Sequence, residues 1–180
     1  MGLAVSFMPG FRQAITNYCM TEREYNKCVN DYADNVYRFI YKNLRHEEDA
    51  RDVVQGAFEK MWINRDQVDP TRCKSFLFTI AYNLMIDHIR KNRKIQLKED
   101  FRETDGGSTM QKAQTKRILD EALRQLSETQ RSLVMLKDYE GYNYAEIGQI
   151  TGLNESQVKV YLHRARLLLR DYIVKIENVI

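Results

Sequence analysis

Asn143–Arg170, NYAEIGQITGLNESQVKVYLHRARLLLR, decides how this chain is organised. It reads as two helices joined by a tight corner. Asn143 can cap the first helix with Glu146 three residues on, and Asn154 the second with Gln157 three residues on. Each pair is an Asn-first capping box, which satisfies free N–H groups at a helix start. Thr151-Gly152-Leu153 supplies the corner, and Gly152 can take the positive φ of a sharp helix exit. Gly148 is small where the two helices must nearly touch. Ile147, Leu153, Val158 and Leu162 are apolar at spacings that face the crossing. This is helix-turn-helix spacing.

Helical periodicity puts Val158, Leu162, Ala165 and Leu169 on the inner face of the second helix. Ser156, Lys159, Val160, His163 and Arg164 fall on the opposite side, with Arg166 and Arg170 on the flank. A helix that is apolar inside, and basic and hydrogen-bonding outside, suits the major groove of DNA. An ordinary helical hairpin with a solvated basic face is the competing explanation.

The rest of the composition narrows the class. With 180 residues the chain fits one medium or two small domains. Only 2 prolines and 8 glycines favour long helices over many turns. A net charge of +3 is too mild to decide on a nucleic-acid partner, so the distribution of charge must. The 3 cysteines, Cys19, Cys28 and Cys73, form no CxxC pair, which points to free thiols in a reducing compartment. The histidines are not at metal-ligand spacing from them, so neither metal nor other cofactor is expected. No apolar run approaches a membrane span, and a cytoplasmic protein without membrane insertion is expected. Residues 1–11 are apolar but lack a positive leading segment, so no signal peptide is expected; Met8 and Met20 are alternative starts. Residues 1–20 read as a loosely ordered extension.

From Thr21, a capping box with Glu24 opens a helix whose buried stripe is Tyr25, Val29, Tyr32, Val36, Phe39, Ile40 and Leu44. Residues 45–48 break it. A second helix follows over Glu48–Asn64, burying Ala50, Val53, Val54, Ala57, Phe58, Met61 and Trp62 and leaving Asp49, Asp52, Gln55, Glu59 and Lys60 polar. Asp69-Pro70 marks a turn. Lys74–Lys94 is helical again, with Asn83, Asp87, Arg90 and Lys94 along one face and Arg90, Lys91, Arg93 and Lys94 at its end. Those cations also favour the helix dipole, so end stabilisation competes with a binding role. Phe76, Phe78 and Tyr82, interleaved with bases, fit single-stranded nucleic acid as well as a core. Residues 96–114 are polar and aperiodic and read as a flexible linker. A second helical unit, 115–180, follows. Its first stripe is Ile118, Leu119, Ala122, Leu123 and Leu126, a Ser127–Gln130 capping box comes next, and a further helix runs to Glu140-Gly141. The fold class is all-α, two small helical domains with the first at 21–95.

DARDVVQGAFEKMWINRD, followed by KSFLFTIAYNLMIDHIRKNRK, resembles the core-binding and promoter-melting region of bacterial sigma factors. LSETQRSLVMLKDYEGYNYAEIGQITGLNESQVKVYLHRARLLLR resembles their promoter-reading region. Two such regions with only a short linker resemble the extracytoplasmic-function group. The resemblance implies that Asp49, Asp52, Gln55, Phe58 and Trp62 lie on the helix that docks on the β′ coiled coil of RNA polymerase core. Of these, Phe58 and Trp62 are better read as core, because large aromatics at helical spacing usually bury. It implies that Asn83, Asp87, Arg90, Lys91, Arg93 and Lys94 meet the single-stranded minus-ten element, one base flipping into a pocket formed partly by 68–75. It implies that Ser156, Lys159, Val160, His163, Arg164 and Arg166 meet the duplex minus-thirty-five element, that the β flap is a further polymerase contact, and that an anti-sigma factor is a partner.

Some residues depart from the family pattern. Gly148 stands where alanine is more usual, and Val160 and Tyr161 are bulky for an outer face. Leu167-Leu168-Leu169, with Tyr172 and Ile173, either pack on the 115–126 helix or form a docking surface. A stand-alone helix-turn-helix regulator is the rival function. No Gly-rich phosphate loop, nucleophile motif or metal cluster supports an enzyme.

Overall fold

The computed structural model describes residues 19–96 and 112–177, with side chains described over 19–92 and 117–176. Its described residues hold no strand. Three long helices form the first unit: α1 (Glu22–Leu44), α2 (Glu47–Ile63) and α3 (Cys73–Gln96). Thr21 caps α1, its hydroxyl accepting the Glu24 N–H at 3.3 Å while Glu24 accepts the Thr21 N–H at 2.8 Å. The helix ends on Arg45 in the left-handed region, φ 60°, with its N–H on the Tyr41 carbonyl at 2.7 Å. The chain then turns at once into α2. His46 caps it, and Glu47, Glu48 and Asp49 occupy its first turn, where acids favour the dipole. Two short 3-10 turns lead to α3. At the second, Asp69 accepts from the Thr71 N–H at 2.9 Å and its hydroxyl at 2.7 Å.

Val36, Phe39, Ile40, Ala50, Ala57, Met61, Leu77, Phe78, Ala81 and Met85 are buried between these helices. Met20 joins them, and its N–H reaches the Arg65 carbonyl at 3.0 Å. Of the expected extension over residues 1–20, residues 1–18 lie outside the described part. Helix α3 runs to Gln96 and the next helix starts at Lys112; residues 97–111, most of the expected linker, lie outside the described part.

The second unit comprises α4 (Lys112–Arg124), α5 (Glu128–Val134), α6 (Tyr144–Thr151) and α7 (Glu155–Glu177). The Ser127, Asn143 and Asn154 boxes form as the sequence implies. Gly152 has φ 75°, and its N–H closes on the Gly148 carbonyl at 2.8 Å. A β-carbon on Gly148 would lie 2.7 Å from the Leu153 carbonyl oxygen, so even the usual alanine needs the corner to shift. One expectation differs. The helix from Ser127 is not α-helical up to residue 140, because Met135–Tyr139 form a π-helical turn. That widening leaves Met135 and Leu136 buried and turns Asp138 and Tyr139 outward.

The two units pack against each other. Helix α3 lies on α6, and the end of α1 lies on α5. Phe78 of the first unit meets Tyr142 of the second edge-on, centroids 5.6 Å apart. Lys74 pairs with the Glu140 carboxylate at 3.1 Å, and Asn35 donates to the same carboxylate at 3.0 Å. Arg131 donates to the Asn43 carbonyl at 3.1 Å, and the Ser132 hydroxyl to the Asn43 side-chain oxygen at 2.9 Å. Lys42 pairs with Asp120.

Candidate nucleic-acid interface

Helix α7 is sided as its sequence implies. Val158, Leu162 and Ala165 are buried against α5 and α6, while Leu169 is half-buried. Ser156, Lys159, Val160, His163, Arg164 and Arg170 are exposed. A shallow groove between Asn154, Ser156, Gln157, Val160, Tyr161 and Arg164 runs along the first turns. Val160, bulky for an outer face, is an apolar strip in this polar surface, and Tyr161 is half-buried beside it. Lys159 pairs with Glu155 at 3.1 Å on the open surface. Such exposed pairs contribute about 0–1 kcal/mol, so a phosphate can replace the carboxylate. Arg166 differs from its neighbours. Its guanidinium meets Asp138 of the π-helical turn at 2.7 Å, which ties it to its own unit. Leu168 stays exposed and Leu167 half-buried, so the leucine run is only partly consumed by packing on α4.

Helix α3 presents a second face. Asp87 and Arg90 form an exposed pair at 3.4 Å, Lys91 is exposed and Asn83 is half-buried. Arg93 and Lys94 lie in its last turns, and their side chains fall outside those described. The aromatics divide differently from a stacking platform: Phe78 and Tyr82 are buried in the core, and Phe76 is half-buried. Two hydrogen bonds from Thr71 hold the Asp69 carboxyl below its usual range, which fixes the turn before α3. Lys74, in the first turn of α3, faces the second unit. Its ammonium lies 5.0 Å from the Tyr142 ring centroid and 5.8 Å from Tyr32 and Phe78.

On α2, Asp52 and Gln55 are exposed, and Gln55 donates to Glu59 at 2.8 Å. Asp49 is not on that open face. It turns toward α3, 3.1 Å from His88 and 3.3 Å from His46. Phe58 is half-buried, as a core residue should be. Trp62 reverses the expectation of burial: it is 37 % exposed. Tyr25 meets its ring at 4.9 Å and the Arg65 guanidinium covers it at 4.3 Å. Its neighbour Ile63 is also exposed, so the two make an apolar edge beside Asp52 and Gln55. Periodicity placed Trp62 on the buried side because it follows Phe58 by four, but at the end of the helix only Tyr25 and Arg65 cover its ring, and part of it stays open.

Reading residues alone missed the seam between the units. Arg131 is only 7 % exposed and makes three carbonyl contacts: Leu123 at 2.9 Å, Leu126 at 3.0 Å and Asn43 at 3.1 Å. Burial lowers its pKa from the usual arginine value. Burial also pushes the Tyr142 hydroxyl up, with Glu140 adding to it. A signal existed at Asn43, an amide placed on the Phe39–Ile40 stripe where an apolar residue belongs.

Known proteins match both units. The Sigma-70 region 2 family covers residues 28–95, and the Sigma-70, region 4 family covers 116–169. RNA polymerase sigma factor SigV of Bacillus subtilis is 29 % identical over 162 residues, 82 % of this chain and 90 % of that protein. ECF RNA polymerase sigma factor SigE of Mycolicibacterium smegmatis is 30 % identical over 159 residues, 84 % of this chain and 62 % of that protein. Among solved structures, RpoE in complex with the anti-sigma factor NepR, from Bartonella quintana, superposes with a TM-score of 0.75 at 22 % identity. It covers 84 % of this chain and 97 % of that one, and supports the fold. The matches do not favour a stand-alone regulator. With both regions matched in order, the chain belongs to the extracytoplasmic-function group of bacterial sigma factors, which direct promoter-specific transcription initiation.

Proposed function

We propose that three surfaces divide the work of initiation. The α2 face of Asp52 and Gln55, edged by Trp62 and Ile63, docks on the polymerase β′ coiled coil. Phe58 supports this face from within, and Asp49 positions α2 on α3 rather than touching the partner. Asn83, Asp87, Arg90 and Lys91 on α3, with Arg93 and Lys94 beyond them, meet the opened minus-ten strand. Ser156, Lys159, Val160, His163 and Arg164 on α7 enter the major groove at the minus-thirty-five element, with Arg166 buttressing that helix through Asp138. The β flap is the further contact of the second unit. The observation that carries this reading is the sidedness of α7: buried apolar residues inside, and a groove edged by Ser156 and Arg164 outside.

The seam adds a condition. Lys74 and Ser75, in the first turn of α3, end the 68–75 stretch that the family uses beside a flipped base, and here Lys74 is engaged by Glu140. Full engagement of the minus-ten strand therefore requires the units to part. RpoE and CnrH were solved with NepR and with the cytosolic domain of CnrY. By analogy an anti-sigma factor holds this chain back in the cytoplasm, with exposed Leu168 and Val174 on α7 as its apolar contacts.

Run-off transcription with purified polymerase core, followed by sequencing of the start sites, tests the function and yields the promoter. Replacing Asp52 and Gln55 together by alanine should weaken core binding at least tenfold, about 1.4 kcal/mol, without loss of helix content. Core binding equal to wild type would reassign the polymerase face.

A further inference from the structure

The outer face of α7 carries two stripes, each with residues four apart. Ser156, Val160 and Arg164 form one; Glu155, Lys159 and His163 form the other. The first stripe borders the shallow groove, together with Asn154, Gln157 and Tyr161. Those three are committed elsewhere. The Asn154 side-chain oxygen accepts the Gln157 N–H at 2.8 Å, the Gln157 side-chain oxygen accepts the Asn154 N–H at 2.9 Å, and Tyr161 is half-buried. Ser156, Val160 and Arg164 are left to face whatever enters the groove, and Val160, in the middle, is 48 % exposed. The second stripe is turned away from it. The Lys159 ammonium lies 3.1 Å from the Glu155 carboxylate and 5.5 Å from the centroid of the Tyr144 ring on α6. Resting on the major-groove reading of α7 given above, we propose that Val160 selects a thymine through its C5 methyl group and Arg164 a nearby guanine, while Lys159 holds a phosphate and reads no base.

The chemistry of the base edges assigns these roles. In the major groove guanine, cytosine and adenine present donors and acceptors, and thymine adds a methyl group. Valine can satisfy none of the polar groups, and covering one without a partner is unfavourable. Against the thymine methyl the same side chain removes apolar surface from water, a gain of about fourfold in affinity for one buried methyl. The Arg164 guanidinium is a fork that matches guanine O6 and N7. The Ser156 hydroxyl both donates and accepts, so it follows either base. An ammonium is a point charge suited to a phosphate, which replaces Glu155 as the partner of Lys159. A helix rises about 1.5 Å per residue, so Val160 and Arg164 stand about 6 Å apart along it, close to two base-pair steps of about 3.4 Å. The thymine and the guanine therefore lie within about two base pairs of each other.

The test uses holoenzyme, this chain on polymerase core, to select duplexes from a pool randomised upstream of the start site. Each thymine of the selected upstream element is then replaced by deoxyuridine, which removes only the methyl, and binding is measured by competition. Wild-type holoenzyme should lose about fourfold at one thymine, within about two base pairs of a guanine. Val160→Ala should bind the thymine and uracil duplexes equally. Lys159→Ala should weaken both alike, keep the selected sequence, and lower the slope of log affinity against log salt by about one. Uracil tolerated at every thymine, a uracil penalty that persists in Val160→Ala, or a changed base preference in Lys159→Ala would each overturn the proposal while leaving α7 in the major groove. Holoenzyme that selects no upstream element would overturn the major-groove reading itself, and this assignment with it.

Discussion

Two arginines of the second unit have opposite surroundings. Arg164 stands on the outer face of α7 in open solvent. Arg131 lies in the seam, its guanidinium shared among three backbone carbonyls. Helix propensity treats them alike, and so does any count of charge. The difference is what each is asked to bind. An arginine free to reorient can meet a base edge or a phosphate, whereas one fixed by carbonyls organises the chain around it. Basic composition therefore says little about nucleic-acid contact until burial separates the two kinds.

The sharpest way to break this contrast is to remove each arginine. Arg131→Ala should cost about 3 kcal/mol of stability or more, because three carbonyls lose a charged donor inside the protein. Denaturant unfolding measures it, and a loss below 1 kcal/mol would mean the seam is looser than drawn. Next in size, Gly148→Ala should destabilise by about 1–3 kcal/mol, since its β-carbon meets the fixed Leu153 carbonyl and not a movable side chain. Wild-type thermal stability would show that the corner adjusts freely. Glu140→Gln keeps the shape but removes the charge opposite Lys74. It should weaken docking by about 1–2 kcal/mol and enlarge the radius of gyration in X-ray scattering at unchanged helicity. An unaltered scattering profile would assign the docking to Phe78 and Tyr142 instead. Arg164→Ala should lower affinity for the cognate duplex by about 1–3 kcal/mol if its contact is bidentate to a base, while moving stability by less than about 0.5 kcal/mol. The smallest effect is expected at Arg45, whose left-handed φ and neighbouring Arg131 and Arg124 both disfavour it. Arg45→Gly should raise stability by about 0.5–1 kcal/mol in the same unfolding assay.

Local rules made much of the fold readable. Thr21, Ser127, Asn143 and Asn154 announced four helix starts, because a cap and its partner lie three residues apart and need nothing distant. The outer face of α7 was readable for the same reason. Trp62 was misplaced because its exposure depends on where neighbouring helices end, which periodicity does not encode. The π-helical turn at 135–139 left no mark, since four consecutive buried apolar residues, Leu133–Leu136, suit any helix that is covered on most sides. The seam is a matter of residues such as Asn43 and Ser132, 89 positions apart. Only the polar intrusion at Asn43 hinted at it.

Two polar groups of the seam, Arg131 and Asn43, keep partners on their own side. Of the three carbonyls that hold Arg131, those of Leu123 and Leu126 travel with it if the units separate. The Asn43 amide likewise keeps the Phe39 carbonyl at 2.8 Å. Water can replace what is lost on either side. If the units part as proposed, a ligand that prefers the shut or the open form tenfold moves their ratio by about 1.4 kcal/mol. Polymerase needs only such a preference to draw this chain open, and a repressor needs only the opposite one to keep it shut.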